Sequence, residues 1–283
     1  MADKGTPKKG TKTKLDLASV AGLVVALGGI VGGMLMEGGH LADIIQITAA
    51  IIVLGGTLGA VMVTTPLSIL ISALKKLGAV FFERSHSSAE IVEEIVVYAG
   101  KARRSSIVSL ESDLDNISDP FLRKALTLAV DGTDLNAIRS IMELDIALGE
   151  KAGEAEAKVY EAAGGYAPTI GIIGAVLGLI QVMKHLENID EVGRGIAVAF
   201  VATVYGVGTA NLFFLPAGNK LKARVQQVLH TKELMLEGVC SIVEGLNPKL
   251  IRVKLEAFAH EKASKEKAKE AKQTSPQTAA AKS

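Results

Sequence analysis

The stretch LASVAGLVVALGGIVGGMLM, Leu17 to Met36, decides how the rest of the chain is read. It carries no charge, and at about 1.5 Å per helical residue it reaches about 30 Å, the thickness of a bilayer's hydrocarbon core. Lys4, Lys8, Lys9, Lys12 and Lys14 precede it. A basic start before an apolar run also describes a signal peptide, but this run exceeds the roughly 7 to 15 residues of such a core and no small-x-small site closes it. The expectation is a retained span.

Outward from it, a tight hairpin, Glu37 to Asp43, leads to a second uncharged run from Ile44 to Ile71, with Pro66 marking its shoulder. From Lys75 to Glu161 charges recur every few residues, and apolar positions fall at helical spacing, as in Ile91, Ile95, Tyr98 and Ala102, or Leu135, Ile138, Ile141 and Met142. Ser88, Asp119-Pro120 and Asp131-Gly132-Thr133-Asp134 supply helix starts and stops. A third run, Ala162 to Met183, and a fourth, Gly195 to Asn219, flank a charged hairpin, Lys184 to Arg194. Two helical stretches follow, about 220–245 and 248–272.

The predicted fold class is therefore all-α: a polytopic membrane protein with four transmembrane helices and a cytoplasmic helical domain. Its segments are a basic tail (1–16), a first transmembrane hairpin (17–64), the helical domain (65–163), a second hairpin (164–217), C-terminal helices (218–268) and a disordered tail (269–283). Lysine and arginine bias places both termini and the helical domain in the cytoplasm: Lys75, Lys76 and Arg84 follow the second run and Lys220, Lys222 and Arg224 the fourth, whereas the first hairpin has none and the second is net acidic.

Composition agrees. Across 283 residues, 49% hydrophobic and 22% charged with a mean hydropathy of +0.35, the apolar and charged residues sit in separate blocks. A formal net charge of +1 excludes a strongly basic nucleic-acid binder. A single cysteine, Cys240, excludes an internal disulfide and a thiolate zinc cluster. The five histidines lack metal-ligand spacing and the glycine-rich stretches match no P-loop, so no enzyme, cofactor or metal is expected.

Charged groups inside a membrane usually mark an ion path. Here the runs hold none between their ends, where polar residues such as Thr48, Thr57, Gln181, Thr203, Tyr205, Thr209 and Asn211 are found instead. If ions cross, the titratable group comes from elsewhere. Gly171, Gly174 and Gly178 fall on one helix face, as do Gly206 and Ala210; small residues so spaced let helices approach closely, within one subunit or between chains. Outside the spans, about 100° per helical residue puts Arg103, Arg104 and Glu111 on one exposed side, either a solvated face or a charge-coded docking surface.

These residues resemble the MotA/PomA stator subunits of the bacterial flagellar motor. The resemblance is carried by GYAPTIGIIGAVLGL (165–179), AVAFVATVYG (197–206), NLFFLP (211–216) and the charged stretch 103–111, and it covers nearly the whole chain. It implies a subunit of the bacterial inner membrane, five copies around two copies of a single-span MotB/PomB-like partner whose membrane aspartate binds the ion. Pro168 and Pro216 match the prolines implicated in coupling ion passage to conformational change. Arg103 and Glu111 match the positions that engage the rotor protein FliG, with Arg104 added. Ala175, Gly178, Ala202, Thr203 and Tyr205 belong to the helices lining the path. Sodium-driven relatives have threonine where this chain has Ala175 and Ala202, and only Thr203 is kept. Losing two hydroxyl ligands for a hard cation implies protons. The expected partners are thus the MotB-like subunit, FliG, further copies of the chain and membrane lipid. The nearest alternative is an ExbB/TolQ-like energiser of envelope transport; those relatives have one span before the cytoplasmic domain, and here there are two. A self-sufficient channel or a membrane scaffold are the other classes.

Overall fold

The computed structural model describes residues 13–84 and 88–259. The expectations for the basic start up to residue 12, for the tail 269–283 and for helix beyond residue 259 lie outside the described residues.

Four helices are long and apolar enough to cross a membrane. The first, α1 (Leu17–Met36), is capped by Asp16, whose carboxylate accepts a hydrogen bond from the Ser19 amide at 3.2 Å. The second, α2 (Leu41–Thr64), is interrupted at Ile45 and Gln46 and widened by a π turn over Ile51–Gly55. Proline disfavours helical geometry in the residue before it. Thr65 is accordingly extended, and the chain restarts beyond Pro66 as α3 (Leu67–Lys76). The uncharged run 44–71 is thus parts of two helices divided at the expected proline.

Next come α4 (Ser88–Ser105), a 3-10 helix (Ile107–Asn116), α5 (Pro120–Val130), α6 (Leu135–Lys184), α7 (Ile189–Val243) and α8 (residues 248–259). Asp119 caps α5 as the sequence suggests, accepting from the Phe121 and Leu122 amides at 2.8 and 3.1 Å. The all-α reading holds, with one addition: β1 (Thr13–Leu15) pairs antiparallel with β2 (Phe82–Arg84), Leu15 opposite Phe82.

The chain divides into two compact units. One comprises residues 13–84 and 151–225, the other 88–150 and 226–259. Both boundaries, at 150–151 and 225–226, fall inside the continuous α6 and α7, and residues 163–164 and 217–218 lie within the apolar unit. The polar unit has a core of Ile95, Leu122, Leu126, Ile138, Met142, Leu234 and Leu255, each no more than 2% exposed. Ion pairs surround that core, among them Asp145 with Lys124 at 3.0 Å and Lys232 at 3.1 Å.

In the apolar unit, α6 and α7 cross backbone to backbone. A Cβ added to Gly206 would stand 2.5 Å from the Ala167 carbonyl oxygen, and one on Gly178 would stand 2.7 Å from that of Gly195. Glycine is the only residue that fits such a crossing, and in lipid this close packing supplies the association that burial supplies in water. Gly171, Gly174, Gly178 and Gly206 all pack within the chain. By contrast, Gly22, Gly28, Gly29, Gly32 and Gly33 on α1 face open space, and no residue of α1 is buried by its own chain.

Gly206→Ala is therefore expected to destabilise the purified protein by about 1–3 kcal/mol through overpacking, whereas Gly208→Ala, on the open side of the same helix, leaves the thermal midpoint near that of the parent. Equal midpoints for the two variants would contradict the crossing described.

Candidate functional site

The residues expected to line the path separate into two groups once α6 and α7 are packed. Ala202 is fully buried and Gly178 is buried against Ala199 and Gly195, so these two form the inner seam of the helix pair and offer no seat for a carboxylate from another chain. Ala175 and Thr203 remain half-exposed. The Thr203 hydroxyl donates to the Ala199 carbonyl at 3.1 Å, the back-bonding common for threonine in apolar helices, and its oxygen keeps accepting capacity.

Tyr205 turns toward α2. Its hydroxyl donates to the Ile44 carbonyl at 2.6 Å and accepts from the Gln46 amide at 3.3 Å. Those are the backbone groups freed where α2 is interrupted. A polar backbone group left unpaired in hydrocarbon costs several kcal/mol, so Tyr205 supplies from α7 the partners that the break in α2 lacks. Around it Ala49, Val53, Val201 and Ala202 form a small buried cluster.

Pro168 lies inside α6, where it has no amide to donate to Gly164, four residues earlier. Gly164 packs against α7: a Cβ there would meet the Leu215 side chain at 2.5 Å. Pro216 follows Leu215 directly, one residue past a π turn over Ala210–Phe214. A widened turn accommodates a proline whose ring would clash with an ordinary helical carbonyl. The surroundings of both prolines therefore meet at one helix crossing, although 48 positions apart in sequence by their numbers.

The charged trio is built differently from the sequence expectation. The helix ends at Ser105, Ser106 takes a left-handed φ of 80°, and Glu111 sits in the following 3-10 helix. A helical wheel through residues 101–111 does not apply. What fixes Arg103 relative to Glu111 is instead Lys101, which bonds Asp113 at 2.6 Å and Ser112 at 3.2 Å across the two elements. Arg103, Arg104 and Glu111 are all exposed. The Arg104 Nε donates to the Gly100 carbonyl at 3.1 Å, while Arg103 and Glu111 have no partner among the described residues.

Sequence reasoning missed two buried carboxylates in the apolar unit. Asp16 pairs with Lys220 at 2.5 Å and Arg224 at 2.9 Å, joining the foot of α1 to α7. The Lys220 hydrogen bond, helped by the Ser19 amide and Arg224, holds its carboxyl down at about 2 against the cost of burial. Glu156 on α6 is 5% exposed; it accepts from the Ser72 hydroxyl and pairs with Lys76 at 2.6 Å, both on α3. An aspartate immediately before an uncharged run was a readable cap signal for the first. Nothing in the sequence marks the second.

A family model described as the MotA/TolQ/ExbB proton channel family matches residues 113–234, and one described as motility protein A N-terminal matches residues 20–104. The chain is 35% identical over 246 residues to motility protein A of Bacillus subtilis, covering 85% of this chain and 90% of that one. Among solved structures, C. jejuni MotAB aligns with a TM-score of 0.82 at 33% identity, over 86% of this chain and 96% of that one. The flagellar MotAB stator complex of Bacillus subtilis aligns with a TM-score of 0.78 at 34% identity, over 85% and 95%.

The Asp16 pairing has a pH signature. A carboxyl held below its ordinary 3.8 stabilises the fold fully above that value, and its contribution fades as pH falls toward about 2. The stability difference between the parent and Asp16→Asn is expected to be constant near neutrality and to shrink between pH 4 and 2; a difference that grows on acidification would refute the pairing.

Proposed function

The chain belongs to the MotA/TolQ/ExbB proton channel family as a flagellar stator subunit, and on that premise we propose that it works as a proton-driven ring of five copies around two copies of a MotB-like single-span partner. The family's members are channel and motor subunits of the inner membrane, not enzymes. The observation that carries the proposal is the absence of carboxylate, ammonium, guanidinium and imidazole side chains from the four spans between their ends: residues 17–36, 44–64, 162–183 and 195–219 hold no Asp, Glu, Lys, Arg or His. A conducting complex built on such helices takes its titratable group from the partner, as an aspartate in that partner's single span.

Both termini and the polar unit lie in the cytoplasm. Support comes from the distribution of cations and from the Asp16 cluster, which gathers Lys220 and Arg224 at the start of α1. A proton entering from the opposite side neutralises the partner's aspartate, which then rests beside Ala175, with Thr203 offering a hydrogen bond. Release to the cytoplasm restores the charge and the ring advances by one subunit. One charge crossing 100 mV yields roughly 2.3 kcal/mol, several times thermal energy. Pro168 and Pro216 act at the crossing of α6 and α7, where a missing amide and a widened turn leave the helices able to bend. The step reaches the rotor protein FliG through Arg103, Arg104 and Glu111, whose exposed charges set register more than affinity.

Alanine at 175 and 202 leaves Thr203 as the one hydroxyl of the three, too few oxygens for a sodium cage. Motor speed is expected to follow the proton-motive force and to stay constant when external sodium is varied at fixed proton-motive force; speed that tracks sodium overturns proton coupling. Separately, Arg103→Glu is expected to leave membrane insertion intact and to abolish most torque, and normal torque in that variant would remove the charged trio from the rotor interface.

A further inference from the structure

At one end of the polar unit, α4, α5 and α7 terminate around an open groove of about 320 Å³. Each chain reversal there uses a left-handed residue: Ser106 at φ 80°, Gly132 at 78° and Gly245 at 72°. The chain thereby turns aside at each helix end. The floor is made of the small buried residues Ala99 and Ala129, and it is this small size that leaves the space. Half-buried Ala102, Ile107, Val243 and Leu246 form apolar walls.

Arg103 lines the same groove and is exposed. Several other charges in this unit are paired: Lys101 with Asp113, Asp145 with Lys124 and Lys232, and Glu237 with Arg139 and Lys254. Arg103 has no such partner among the described residues. An apolar slot with an uncommitted guanidinium at its lip fits an apolar side chain carried close to a carboxylate. Its volume lies at the lower end of the roughly 300–1,000 Å³ of small-molecule pockets, which suits one protruding side chain.

We propose that this groove is a socket for a leucine- or phenylalanine-sized side chain on a helix of the rotor partner, with Arg103 pairing a carboxylate about one helical turn away on that helix. The charge supplies encounter and register, and the buried apolar anchor supplies residence. This rests on the rotor reading of Arg103 given above and adds to it an apolar contact that the charges do not provide.

Two variants of the full stator complex test it with Arg103 retained. Ala102→Met fills the groove from its α4 wall, and Leu246→Ser makes the opposite wall polar without adding volume. Both are expected to insert, assemble and conduct protons like the parent, while the dwell time of labelled stators at a motor falls by about tenfold. Parental dwell time in both variants overturns the socket, as does a change in subunit number or membrane level, which would mean that the groove serves another copy of the chain or the fold itself. Arg103→Glu keeps the two levels of the argument apart: short dwell in that variant with parental dwell in the groove variants removes only the socket, and parental dwell in all three removes the rotor reading as well.

Discussion

Everything in the apolar unit depends on how closely α6 and α7 approach each other. In water two helices are driven together by the area they bury; in lipid that gain vanishes and contact must come from dispersion between surfaces that fit. Glycines at 171, 178 and 206 bring backbone against backbone, with hypothetical Cβ atoms only 2.5 to 2.9 Å from carbonyl oxygens. A crossing so tight has no tolerance for larger residues along its seam. It also leaves Ala175 and Thr203, both small, half-exposed beside the seam.

The same solvent constraint explains the polar contacts within the spans. Water is not available to satisfy the interrupted backbone of α2, and Tyr205 does so from α7. Thr203, Thr209 and Asn211 return their side-chain donors to carbonyls of their own helix, at 3.1, 2.6 and 2.9 Å. Toward the ends of the helices the solution changes to ion pairs: Asp16 with Lys220 and Arg224, and Glu156 with Lys76. Hydrogen bonds inside the spans and charges at their margins are what a falling cost of desolvation from bilayer centre to interface requires.

How far the sequence can be read depends on the length of chain over which a signal is summed. The four spans are legible because each is an unbroken apolar run, and Pro66 is legible because a proline acts on its immediate neighbour. The wheel through Arg103 and Glu111 fails because one residue, Ser106, takes a left-handed φ that nothing about serine announces. Gly178 was recognised as a packing residue, but whether it faces its own chain or another depends on rotation of α6 about its axis, which the partner helix sets. Glu156 was invisible for a related reason. Its burial comes from α3, which is far from it in sequence, and a glutamate in a charged helical stretch reads as solvated. The continuity of α6 through residues 163–164 likewise escaped a reading that divides a chain where composition changes, since a helix can cross from a polar to an apolar setting without altering its backbone.

The isolation of α1 has a mechanical meaning. A span with no residue buried by its own chain is anchored near its foot, through Asp16, the short β-ladder and residues 78–81, and stands above that like a mast. Its tilt and azimuth are set by whatever surrounds it, lipid or neighbouring protein, and not by the fold of the subunit. Mismatch between a span and its bilayer is taken up as tilt, and in this subunit such tilt pivots about the Asp16 ion pairs at the base of the mast.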